Sequence, residues 1–126
     1  MYRQSLLAAL ALICGSASAQ YADIDGKFQS SVTTLELIPL DPEVGVIAAS
    51  TSVILGSCSG TVSGIGKMTG NELKFTPYAK LDAKDVCAVR VVFDKQRKTA
   101  KILGENCSAY SGASCGWEGD TIKRVR

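Results

Sequence analysis

Between Cys87 and Phe93 every second residue is apolar: Cys87, Val89, Val91 and Phe93 share one face, and Ala88, Arg90, Val92 and Asp94 the other. A period of two is the signature of a strand with one buried face. The same pattern recurs along the chain. Leu73 and Phe75 alternate with Lys74 and Thr76 just after Thr69-Gly70-Asn71, which reads as a hairpin. Asp94 to Lys98 forms a charged turn, and Thr99 to Leu103 returns with Ala100 and Ile102 on one face. Val32 to Ile38, Thr61 to Met68 and Trp117 to Val125 read as further strands. Gly56 to Gly60 is a turn, residues 78–86 a charged connection, and Glu105 to Cys115 a polar loop. Short strands spaced by turns predict a mainly β fold, a small antiparallel barrel or sandwich.

One segment reads two ways. Asp41-Pro42-Glu43 carries helix-start signals, and Val44, Ile47, Ala48, Thr51 and Leu55 then fall on one helical face, so a short helix near 41–55 is one alternative. Gly45 and the β-branched Val46, Ile47, Thr51, Val53 and Ile54 favour a turn followed by a buried strand, the reading adopted here.

The first residues follow a different pattern. Arg3 precedes the apolar run Leu6 to Ile13, and Ala17-Ser18-Ala19 forms an A-x-A site before Gln20. This is a secretory signal peptide, expected to be cleaved after Ala19. The apolar run falls short of the ~20 residues needed to span a bilayer. Bulky Ile13 before Cys14 argues against lipoprotein processing. The expected organisation is a cleaved leader over 1–19, a flexible arm over 20–27 and a single β domain over 28–126. The expected location is periplasmic or secreted.

Charge is unevenly spread. Residues 20–60 carry Asp23, Asp25, Glu36, Asp41 and Glu43 against Lys27 alone, whereas residues 61–126 carry 12 basic and 7 acidic groups. Lys95, Arg97, Lys98 and Lys101 crowd one turn, and Lys123, Arg124 and Arg126 end the chain. Such runs usually mark a solvated turn and tail; their alternative use is to attract an anionic polymer. No aromatic-interleaved basic stripe speaks for nucleic acid.

Cysteine usage narrows the chemistry. Cys14 leaves with the leader, so Cys58, Cys87, Cys107 and Cys115 remain, and the chain has no histidine. An even set behind an export signal predicts two disulfides. Spacings of 28, 19 and 7 intervening residues lack the close pairs of a zinc site, so no metal is expected. Four cysteines allow three pairings. Small, polar residues between Cys107 and Cys115 favour Cys107–Cys115 with Cys58–Cys87, loops worth about 2.6 and about 3.6 kcal/mol of chain entropy.

The catalytic inventory is thin. Without histidine, and with the cysteines paired, nucleophile–base mechanisms have no base. No acidic pair is marked among the twelve carboxylates. The Gly60-x₃-Gly64-x-Gly66 spacing matches no nucleotide-binding fingerprint and reads as a bent or bulged strand. Asn106-Cys107-Ser108 fits a glycosylation sequon, a short and weakly specific pattern. The expectation is a protein without enzymatic activity and without a cofactor.

The stretch Cys107-Ser-Ala-Tyr110-Ser-Gly112-Ala-Ser-Cys115-Gly-Trp117-Glu-Gly119 resembles a loop of the form C-x-x-[YH]-x-G-x-x-C found in small exported bacterial proteins. Some of these are similar to periplasmic lysozyme inhibitors, disulfide-linked β-barrels that block muramidases through a protruding loop. The resemblance implies a binding module in the envelope that inhibits a cell-wall-acting hydrolase or a secreted toxin, with Tyr110, Ser111, Gly112 and Trp117 as candidate partner contacts; the alternative is structural, Trp117 as a core residue and Gly112 as a turn former. The inhibitors often carry Ser-Gly-x-x-Tyr; here Ser111-Gly112-Ala113-Ser114 is followed by Cys115. A basic C-terminal half also suits a cationic lysozyme poorly, which turns attention to other targets. The competing reading is an envelope or secretion-system component that binds an anionic polymer or assembles with itself.

Overall fold

A computed structural model describes residues 20–126. The leader and its cleavage site lie outside the described residues. Eight strands follow in chain order: β1 Gly26–Gln29, β2 Thr33–Asp41, β3 Val46–Leu55, β4 Cys58–Thr69, β5 Glu72–Phe75, β6 Ala88–Phe93, β7 Thr99–Glu105 and β8 Glu118–Arg124. Each pairs antiparallel with the next, and β8 returns to β1, so the sheet closes as an up-and-down barrel. The closing seam pairs Phe28 with Arg124 and Gln29 with Lys123. The two ends of the barrel follow from this order. Loops 30–32, 56–57, 76–87 and 106–117 lie at one end; turns 42–45, 70–71 and 94–98 and both ends of the described chain lie at the other.

Alternation sets what fills the barrel. In β6, Val89, Val91 and Phe93 point inward, and in β7 Ala100 and Ile102 do so. They meet Phe28, Leu35, Leu37, Ile47, Met68, Leu73 and Phe75 from the other strands, leaving a packed interior rather than a pore. On the outside, Arg90 of β6 sits between Glu72 and Glu105 on its two neighbours, at 2.8 and 3.3 Å, a cross-strand ion ladder.

Residues 46–55 form a strand, and the helix-start signal before them is spent on a turn. Asp41 Oδ1 accepts the Glu43 N–H at 3.3 Å, an Asx turn, and Gly45 at φ +81° turns the chain into β3. The glycine spacing of β4 marks a close approach. A Cβ at Gly64 would lie 1.7 Å from the Thr76 carbonyl oxygen, and one at Gly66 2.2 Å from that of Lys74. Only glycine lets the chain of β5 and its continuation cross there.

The expected flexible arm over 20–27 is corrected. Tyr21 and Ile24 are buried and close the end of the barrel that lacks cysteines. A single 3-10 turn, Ala22–Ile24, carries them, and the Tyr21 N–H donates to Pro42 O at 3.0 Å. Two arginines of the basic clusters hold this segment. Arg97 Nη1 donates to Asp23 Oδ1 at 2.6 Å while its guanidinium lies over the Tyr21 ring. Arg124 donates to the carbonyls of Asp23 and Asp25 and covers the Phe28 ring. The sequence showed a polar, acidic segment; its two apolar residues and the arginines that neutralise it lie far apart in the chain.

Gly64→Ala is expected to destabilise the protein by about 3 kcal/mol or more, because the new methyl meets backbone rather than a movable side chain. Urea unfolding measures this. A loss below about 1 kcal/mol would mean that β5 gives way at this crossing.

Candidate functional site

The end of the barrel with the long loops carries both disulfides. Cys58 starts β4 and joins Cys115; Cys87 precedes β6 and joins Cys107. The expected pairing, Cys107–Cys115 with Cys58–Cys87, is therefore corrected. β6 and β7 explain one bridge. Their ladder pairs Phe93 with Ala100 and runs to Ala88 opposite Glu105, so its continuation sets Cys87 beside residues 106–107. β4 and β6 are separated by β5, which keeps Cys58 and Cys87 on non-adjacent strands. With sequence separations of 20 and 57, the observed loops contribute about 3.3 and about 4.2 kcal/mol in the chain-entropy model.

Loop 106–117 consequently runs across the barrel end. It leaves β7 at Cys107, makes one helical turn, α1 (Ser108–Ser111), and reaches Cys115 before β8. The expected polar loop thus contains a short helix. α1 rests on Gly60 of β4, where a Cβ would lie 2.5 Å from Ser111 Cβ and 2.6 Å from Tyr110 O. Ser111 Oγ donates to Cys115 O at 2.8 Å and closes the turn on itself. The Ser111 carbonyl oxygen lies 3.1 Å from Cys58 Sγ, a disulfide sulfur that has no hydrogen to donate.

The four contact residues expected from the sequence divide. Trp117 is a core residue: its Nε1 donates to the buried Thr51 Oγ1 at 2.9 Å, and Thr51 Oγ1 donates to Thr34 O at 2.8 Å. Of the two roles expected for it, partner contact and core residue, this is the second, since indole and hydroxyl satisfy each other inside the barrel. Tyr110 is half-buried and faces inward along the loop, where its hydroxyl donates to Asp85 Oδ2. Ser111 is half-buried in the turn it closes. Gly112 alone of the four is exposed, at φ +86°, and it leads into exposed Ala113 and Ser114.

Asp85 ties the two long loops together. Besides the Tyr110 hydroxyl it accepts the N–H of Leu81 at 3.1 Å and that of Cys87 at 3.0 Å. The Tyr110 hydrogen bond, then these two backbone donors, hold its carboxyl below the usual carboxylate range. Burial first, then the Asp85 carboxylate, raises Tyr110. Residues 78–86, a charged connection in sequence, are thereby a braced loop that exposes Tyr78, Leu81 and Val86. Sequence reading missed these three because lysines and aspartates interrupt them and no alternation marks them; Tyr78 directly after Pro77 was the available signal.

Loop 104–118 frames an open cavity of about 310 Å³ whose lining includes Asn106, Ser108, Gly112, Gly116 and Glu118, at the lower limit of small-molecule sites. Among the described residues no three His, Cys, Asp or Glu side chains gather as a metal cluster. None of their helices is long and apolar enough to cross a membrane. No family model, no curated relative and no solved structure matches the chain.

Three outcomes follow for this end. Peptide mapping without reductant should recover 58–115 and 87–107 linked peptides; a 107–115 linked peptide would contradict the structure. Trp117→Ala should cost about 3–5 kcal/mol in denaturant unfolding, as a core truncation does, whereas a surface contact would cost ~0.5 kcal/mol or less. Acid should loosen the braced loop. Asp85 has a depressed folded-state pKa, so its contribution is complete above the ordinary value of about 4 and is lost as pH falls through the lower folded value. Protection of the Leu81 and Cys87 amides, relative to their intrinsic exchange at each pH, should fall over that range, and Tyr110→Phe should move the change to higher pH. Protection that ignores pH there would rule out the brace.

Proposed function

We propose that this protein is an exported binding module that holds a protein target of the envelope at its disulfide-tied end, acting as an inhibitor of a cell-wall-acting hydrolase or a secreted toxin. The observation that carries this reading is the pair of bridges at one barrel end. Cys87–Cys107 and the Tyr110–Asp85 hydrogen bond fix loops 76–87 and 106–117 against each other, and Cys58–Cys115 fixes the second loop to β4, before any partner arrives. A surface ordered in advance loses less entropy on binding, which is what a tight inhibitor requires. Two disulfides also suit the oxidising compartment that the leader implies. The resemblance of Cys107 to Gly119 to inhibitor loops points the same way, with one change. Cys115 binds the loop to β4, so contact is made by the face of a pinned loop rather than by a protruding finger.

A second reading keeps some support from the lysines. Arg97 and Arg124 are turned onto the N-terminal segment, but Lys95, Lys98, Lys101 and Lys123 remain exposed on and beside the 94–98 turn. An anionic envelope polymer would meet them there. Salt separates the two readings, because a lysine-held polymer is released at high ionic strength while a loop-mediated complex loses less affinity.

The test follows cell-wall lysis by purified hydrolases with and without the mature, oxidised protein. Inhibition should appear with the oxidised chain and fall at least about tenfold in Cys58→Ser/Cys115→Ser, which frees loop 106–117 from β4. Failure of the oxidised protein to inhibit any hydrolase or toxin tried, together with salt-sensitive retention on teichoic or lipopolysaccharide fractions, would transfer the assignment to the polymer reading.

A further inference from the structure

We infer that the outer face of β7 and β8, together with the 94–98 turn, binds a chain of repeated anions, a phosphate-bearing glycan or polyol polymer of the envelope. This rests on the polymer reading above and gives it a defined site. It does not depend on the inhibitor reading, because the 94–98 turn lies at the end of the barrel away from the disulfides. The β7–β8 ladder sets Lys101 opposite Thr121 and Thr99 opposite Lys123. Lys101 and Lys123 are therefore diagonal neighbours on one outward face, about 7–8 Å apart along the backbone. Lys95 and Lys98 stand on the turn that joins β6 to β7, and all four lysines are exposed. That turn is ordered before any ligand arrives. Asp94 O accepts the Arg97 N–H at 3.0 Å, and Asp94 Oδ1 accepts those of Lys98 at 2.8 Å and Thr99 at 3.2 Å.

The charge of this face does not cancel. Six cations gather here, Lys95, Arg97, Lys98, Lys101, Lys123 and Arg124, against the carboxylates of Asp23, Asp25 and Asp94. Arg97 is paired with Asp23, and Arg124 lies on the Asp23 and Asp25 carbonyls. Asp94 keeps its charge and offsets one of the four lysines; none of the four has an ion-pair partner among the described residues. Farther round the wall, Arg90 holds Glu72 and Glu105, and exposed Lys67 and Lys74 stand beyond it, so the surplus keeps its sign. Asp120 accepts the Ser30 and Thr33 hydroxyls on the opposite face of β8 from Lys123, and Glu118 lies toward the long loops. The acidic turn with Asp41 and Glu43 joins β2 to β3, half a barrel away.

The residue types select the ligand. A lysine ammonium acts as a point charge and suits a tetrahedral phosphate, whereas planar, bidentate recognition of carboxylates belongs to arginine. Both arginines here are turned onto the N-terminal segment, which leaves lysines alone to meet the solvent. One exposed lysine holds an anion weakly; a chain that meets four in succession gains from the high effective concentration of each next contact. Between the charges the surface is of another kind. A cleft of about 250 Å³ is bordered by Val92, Thr99, Lys101 and Thr121, with Val92 46% exposed. Its hydroxyls and apolar floor fit the uncharged sugar or polyol part of a repeat. A bound chain leaves the disulfide-tied end free, so the two sites can act together.

The test measures retention of the mature, oxidised chain on immobilised polyol-phosphate teichoic acid, on lipopolysaccharide and on polyglutamate. Retention on either phosphate polymer, with weaker retention on polyglutamate, is expected, and which polymer retains it identifies the source. Affinity should fall at least about tenfold between low and physiological salt. Lys101→Gln with Lys123→Gln should weaken it about tenfold, and so should Lys95→Gln with Lys98→Gln, with the sheet spectrum unchanged because all four positions are exposed. Lys80→Gln with Lys84→Gln removes the same charge at the other end and should stay within about twofold. Thr121→Val, which leaves every charge in place, should weaken binding about threefold, as loss of one hydrogen bond does. No retention on either phosphate polymer at low salt would remove the polymer reading and this site with it. Retention that the Lys80/Lys84 variant weakens as much as the Lys101/Lys123 variant would overturn the site and leave the polymer reading standing. Equal or stronger retention on polyglutamate would overturn the phosphate assignment. A wild-type dimer in sedimentation that the Lys101/Lys123 variant abolishes would make this face a contact between copies, and the polymer inference wrong.

Discussion

Loop 106–117 has almost no apolar surface with which to hold itself: between its cysteines stand Ser108, Ala109, Tyr110, Ser111, Gly112, Ala113 and Ser114. Ordering such a segment costs about 1–2 kcal/mol per residue in backbone entropy, more than its few hydrogen bonds return. The Cys58–Cys115 bridge supplies the difference by tying the loop to β4, across the barrel end from the β7–β8 pair it connects. Much else at that end depends on it. α1 rests on Gly60 only because the loop is drawn there, Trp117 enters the barrel two residues beyond Cys115, and Tyr110 is delivered to Asp85.

The two barrel ends are closed by different physics. At one end Tyr21 and Ile24 fill the mouth and are held by arginine contacts with backbone carbonyls and aromatic rings. At the other, covalent bridges, the buried Trp117 and the Asp85 carboxylate hold the mouth, and Leu55, Leu81 and Val86 stay exposed beside it. A domain of this size can bury only a modest core, so two cross-links are a large part of its stability.

Strands were legible wherever one face is buried and the other solvated. β6 and β7 follow from alternation alone, and the Thr69-Gly70-Asn71 turn gives the hairpin before β5. The disulfide pairing was within reach but required a register: with the 94–98 turn joining Phe93 to Ala100, counting back along both strands brings Cys87 opposite Asn106, next to Cys107. Loop composition, the criterion used instead, reports how easily a segment bends and says nothing about which strands are neighbours. Trp117 was ambiguous because its burial depends on Thr51, 66 residues away, as hydrogen-bond partner. The buried segment at 21–24 was hidden for a similar reason, its support coming from Pro42, Arg97 and Arg124. Local pattern reveals elements; pairing between distant parts of the chain decides the site.

The central claim is that one cross-barrel bridge prearranges the end with the long loops without being needed for the barrel as a whole. Hydrogen exchange on Cys58→Ser/Cys115→Ser, compared with the oxidised wild type, addresses it residue by residue. The account predicts that protection collapses at Tyr110 and Gly112, whose N–H groups close α1, while the amides of β2, β3 and β6 keep theirs. Unchanged protection in the loop, or loss of protection throughout the barrel, would contradict it.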